Sequence, residues 1–101
     1  MKTQVVGIVL AIVIGIVSGF AQGNPEFARA LRAHSTEPRR EQLARLLRQA
    51  AALGELRSDI DTDLAMDLLV GPVMHRRFMG AEPDPDTAEK VVDVFWRAWK
   101  R

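Results

Sequence analysis

The sequence predicts an all-α fold, a small bundle of about five helices, and three observations in its 101 residues carry that prediction. Apolar residues recur at helical spacing through the C-terminal half, with polar residues on the opposite side. Asx-Pro pairs stand where helices would begin, at Asn24-Pro25 and Asp84-Pro85. Strand signals are missing, with no alternating runs and no Asn-Gly or Asp-Gly hairpin turns. A chain of this size suits one small domain, in which burial is only moderately efficient and oligomerisation would add stability. The formal net charge of +1 supplies no global field toward nucleic acid or acidic membranes. With no cysteine, disulfides, thiol catalysis and thiolate metal sites are ruled out together.

Residues 5–21 carry no charge and are nearly all apolar, which sets residues 1–22 apart from residues 23–101. Three readings fit. Lys2, an apolar run to Val17, and Gly19 and Ala21 at small-residue positions have the form of a signal peptide cut ahead of Gln22. A membrane span is also open, since about 17 residues is the lower limit for crossing. Gly7, Ala11, Gly15 and Gly19 form a small-residue stripe that lets helices approach closely. In the third reading the segment is a buried helix of a soluble bundle, and the same stripe seats a neighbour. Its many β-branched residues disfavour a lone helix in water, a preference that burial or lipid overrides.

Asn24-Pro25-Glu26 opens a short helix to about Ala33, and Ser35-Thr36-Glu37-Pro38 is expected to break the chain and restart it. The next helix carries Leu43, Ala44, Leu46, Leu47, Ala50, Ala51 and Leu53 on one face, with Glu41 and Arg45 as an i,i+4 pair on the other. Gly54 ends it, and residues 55–60 connect onward with Leu56 and Ile60 turned inward.

Residues 61–79 form a helix apolar on most sides, capped by Asp61 and closed by Gly80. Pro72 is expected to bend it, because proline removes a backbone hydrogen bond and crowds the preceding turn. Residues 84–101 form the clearest amphipathic helix. Ala88, Val91, Val92, Val94, Phe95, Trp96, Ala98 and Trp99 spread over an arc of roughly 200°, about twice what one supporting face needs. Each large aromatic offers about 150–250 Å². The total exceeds the roughly 300–600 Å² of the largest ordinary apolar patch, so the two closing helices call for a second copy of the chain. The candidate dimer residues are Leu68, Leu69, Pro72, Val73, Arg76, Val91, Val92, Phe95, Trp96 and Trp99.

The order of features from Pro38 onward resembles the C-terminal regulatory domain of the TetR/AcrR family of bacterial transcriptional regulators. The resemblance rests on Pro38-Arg39-Arg40, Gly54-Glu55-Leu56-Arg57, Asp59-Ile60-Asp61, residues 64–72, Arg76 with Phe78, and Asp84-Pro85, and covers about residues 24–101. It implies a homodimer built on the last two helices and a cavity for a small apolar effector, with Leu47, Met66, Val70, Met74 and His75 as candidate lining. It also implies a cytoplasmic regulator; export or membrane anchoring through residues 5–21 is the alternative. Family members carry a helix-turn-helix that reads the major groove, and residues 1–101 hold none, so this chain should not bind an operator by itself.

Other chemistry finds little support. Asp59, Asp61 and Asp63 begin like a calcium loop, but Leu64 and Val70 stand where glycine and glutamate are needed. His34 and His75 lack a third ligand at metal spacing. Arg39, Arg40, Arg45 and Arg48 read as a solvated face. No nucleophile–base pair or glycine-rich phosphate loop is present, so no enzyme, cofactor or metal is expected.

Overall fold

A computed structural model describes residues 1–21, 23–82 and 84–101. The helix α1 (Lys2–Ala21) runs through the middle, and every other helix packs against it. Around it come α2 (Pro25–Leu31), a π-helical turn (Arg32–Thr36), α3 (Glu37–Ala52), α4 (Thr62–Phe78) and α5 (Pro85–Trp99). The fold is all-α as expected, and α4 packs against both α3 and α5. Gln22 and Pro83 lie outside the described residues; with them go the candidate cut ahead of Gln22 and part of the turn joining α4 to α5.

The uncharged segment folds by giving one side of α1 to the core. Val5, Val9, Ile12 and Val13 are fully buried and Ile8 nearly so, while Ile14 and Phe20 stay outside. This burial overrides the poor helix propensity of β-branched residues. The small-residue stripe divides in function. Gly15 and Gly19 are buried against the π-helical turn and α2, where an added Cβ would meet Thr36 Oγ1 at 3.1 Å and Ala28 at 3.4 Å respectively. Nothing lies near Gly7.

Helix ends follow the local chemistry. Asn24 accepts from the Glu26 and Phe27 amides, Asp61 from Leu64, and Asp84 from Asp86, so the starts of α2, α4 and α5 are satisfied by a side-chain oxygen. At the other end, Gly54 and Gly80 adopt φ of +81° and +101°. Around them the Glu55 and Ala81 amides reach back to the Ala50 and Arg76 carbonyls, closing both helices in the pattern that favours glycine. Asp84→Ala should cost about 1 kcal/mol, read as a lowered urea midpoint with unchanged slope; Asp84→Asn should retain most of it.

Four expectations change. No break separates α2 from α3: the backbone stays helical at Leu31, Thr36 and Glu37, and the chain widens instead into the π-helical turn. The Glu37 amide donates to the Arg32 carbonyl five residues back, a register shift that accommodates Pro38, which has no N–H of its own to place. Leu53 is 65% exposed, because the helix has already ended and Leu53 is its cap. Arg45 does not pair with Glu41; Arg48 does, at 3.4 Å between exposed side chains, a contact worth little.

The fourth change concerns the aromatic helix. Trp96 and Phe95 are buried inside a single protomer, and Trp99 is half-buried. Both α1 and α4 pack against α5 and cover part of its two-sided apolar arc from within the chain, while Val94 stays 60% exposed. The connector adds a third cover. Leu56, fully buried, forms an antiparallel bridge with Lys100; the Arg57 amide donates to the Trp99 carbonyl at 2.9 Å, and the Arg57 guanidinium sits 6.0 Å from the Trp99 ring. Arg57 also forks onto both Asp59 carboxylate oxygens, at 3.1 and 2.9 Å.

Candidate functional site

Two surface concavities stand out, one between α4 and α5 and one beside the C-terminal half of α1. The first is a groove of about 390 Å³ between α4 and α5, walled by Leu68, Pro72, Val91, Val94, Phe95 and Trp99, with Lys90 as its one charged wall. It exists because α5 spends Val92 and Trp96 on the core while Val94 and Ala98, offset around the helix, face outward. Val94 is 60% exposed and Leu68 45%. Phe95, itself buried, and half-buried Trp99 stack at 6.2 Å along the groove floor.

This geometry sorts the ten candidate dimer residues. Leu69, Val73, Val92 and Trp96 belong to the protomer's interior. Leu68, Pro72, Val91, Phe95 and Trp99 line the groove, and Arg76 is exposed on α4. Val94 and Ala98 also line it and were absent from the candidates, although the same periodicity that placed Val91 and Phe95 pointed to them.

The second concavity, about 590 Å³, lies between the C-terminal half of α1, α2 and the π-helical turn. Ile16, Phe20, Gly19 and Ala28 supply apolar wall, and Arg32, Arg40, Glu37 and Thr36 supply the polar part. Its volume falls in the range of about 300–1,000 Å³ typical of small-molecule sites. Thr36 is only 3% exposed, and its hydroxyl has no hydrogen-bond partner. Such an orphan costs roughly 1–3 kcal/mol of desolvation. Arg32 and Arg40 take part in no ion pair among the described residues.

Neither concavity is lined by the candidate effector residues. Leu47, Met66 and Val70 are core, packed among α1, α3, α4 and α5; Met74 is half-buried and His75 is exposed. A helix apolar on most sides signals burial, and that signal does not distinguish a cavity wall from a filled core. The cavity that does exist depends on the π-helical turn, and the basic residues at its rim are individually ordinary. Asp59 and Asp61 are engaged by Arg57 and by the α4 cap.

A family model described as tetracyclin repressor-like, C-terminal domain, matches residues 10–95, from the middle of α1 almost to the end of α5. An uncharacterized HTH-type transcriptional regulator of Bacillus subtilis (strain 168), YdeS, is 31% identical over 88 residues, covering 87% of this chain and 43% of that protein. The chain thus spans less than half the length of that relative. No solved structure matches.

Proposed function

The chain belongs to the tetracyclin repressor-like C-terminal domain family, and from that premise we propose that it is the dimerising, effector-binding part of a transcriptional regulator. The observation that carries the dimer is the α4–α5 groove. Over a floor of Phe95 and Trp99, the apolar side chains of Leu68 and Val94 remain 45% and 60% exposed on the protomer. A second copy applying the same face would bury both grooves at once in a four-helix interface with two-fold symmetry. The effector role draws on the family resemblance and on the concavity beside α1.

The helix α1 is long and apolar enough to cross a membrane. We place it instead with the regulatory domain and the protein in the cytoplasm: the family match begins inside α1, and all other helices pack against it. Operator binding is not assigned to residues 1–101. Sedimentation velocity at micromolar concentration should give about twice the 11.3 kDa of one chain. A species of one chain's mass across that range would remove the dimer from the proposal.

A further inference from the structure

We infer that the concavity between α1, α2 and the π-helical turn binds an amphipathic carboxylate, its apolar body against Ile16, Phe20 and Ala28 and its acid group at Arg32, Arg40 and Thr36. The inference rests on reading the chain as an effector-binding domain and names the site and the ligand class. Three features of the residues point the same way. The walls are divided, with apolar side chains from α1 and α2 on one side and polar side chains from the π-helical turn and the start of α3 on the other. A wholly apolar ligand would leave the polar side unused, and a small polar one would leave the apolar side wet. The polar side is net cationic, two guanidiniums against the single carboxylate of Glu37, and neither guanidinium has an acidic partner among the described residues. A planar carboxylate matches a guanidinium fork, which makes Arg the usual choice for that group.

The third feature is Thr36. Its hydroxyl is more than nine-tenths buried, sits against Gly15 in the cavity wall, and neither donates nor accepts a hydrogen bond. The π-helical turn holds it there, and π-helical insertions recur where a helix is adapted to a function. Glycine at 15 is what allows the approach, since an added Cβ would come within 3.1 Å of that oxygen. Because its oxygen is closed to solvent in the free chain, this hydroxyl donates to a carboxylate entering between the two arginines once the π-helical turn shifts to admit it.

The test uses the full chain, with decanoate and 2-naphthoate as probes and decan-1-ol and 2-naphthol as their uncharged counterparts. Calorimetry should show at least one acid binding tenfold or more tightly than its neutral partner. Its amide shift changes should centre on Gly15, Gly19 and Ala28. The pair R32Q/R40Q, exposed Arg32 with half-buried Arg40, should erase the acid's advantage without lowering the melting temperature. Thr36→Val should weaken the acid several-fold while raising the melting temperature of the free protein, a split that loss of folding cannot produce. Acids binding no better than their neutral partners, an advantage that survives R32Q/R40Q, or shifts centred on the α4–α5 groove would each overturn the assignment. The dimer reading is judged separately, by mass. An acid-independent ligand in a dimeric chain therefore rejects only this inference, and a monomer that binds nothing rejects both.

Discussion

Ile12→Asp should unfold the entire chain, whereas Ile14→Asp, two positions along the same helix, should leave it folded. Ile12 is fully buried and Ile14 is 52% exposed. The first substitution removes a side chain whose burial contributes about 1.5–3 kcal/mol. It also places a carboxylate in a core whose only buried polar side chain among the described residues is Thr36. The effective penalty for an unpaired buried ion is several kcal/mol. Against a total stability of about 5–15 kcal/mol, the sum removes most or all of the margin. The second substitution meets solvent and should change stability by no more than about 0.5 kcal/mol. Circular dichroism with urea titration separates them: one variant without a cooperative transition, the other close to the parent. The pair also distinguishes a bundle core from a membrane span. Both positions lie near the middle of α1, where lipid would penalise an aspartate at either by about 2.5–3.5 kcal/mol. Equal damage at 12 and 14 would contradict the packed arrangement. So would an Ile12→Asp protein that lost only α1's helicity and kept α3–α5 intact.

The same helix marks where sequence reasoning stops. Caps and stops were legible because each is a local event: Asp61, Asp84 and Asn24 need only their own side chain and the next few amides, and Gly54 and Gly80 only a left-handed backbone. The amphipathic faces of α3 and α5 were legible because polar residues fixed the outside. Residues 5–21 have no polar face, so nothing in them says which side turns inward, and a buried helix, a signal segment and a span share one composition. That α1 would cover Trp96 therefore could not be read from α5 alone. Pro38 is ambiguous in the sequence for a related reason. Proline forbids one hydrogen bond and crowds one carbonyl, and either a break or a widened turn satisfies both; the choice was made by contacts with α1. The cavity inherits that illegibility. Arg32, Thr36 and Arg40 become neighbours of Ile16 and Phe20 only because the turn is π-helical and because Gly15 and Gly19 let it come close.

Val94→Glu should convert the dimer to a folded monomer, while Phe78→Glu should not. The two positions are almost equally exposed, at 60% and 59%, and both carry large apolar side chains on adjacent helices. They differ in what surrounds them. Val94 lies in the α4–α5 groove beside Phe95, whereas Phe78 packs edge-on against Phe20 at 6.0 Å, at the end of α4. Exposure protects the protomer in both cases, so melting of the isolated fold should change little. At the interface the effect is amplified, because two-fold symmetry places the substitution on both sides. A central apolar contact contributes about 2 kcal/mol when truncated. Two copies, each now also desolvating a carboxylate, give at least about 4 kcal/mol, or roughly a thousandfold weaker association. Sedimentation at micromolar concentration should then show one-chain mass for Val94→Glu and unchanged mass for Phe78→Glu. An intact Val94→Glu dimer would move the interface off the groove. Dissociation by Phe78→Glu would put it at the Phe20–Phe78 corner, beside the concavity that Phe20 lines.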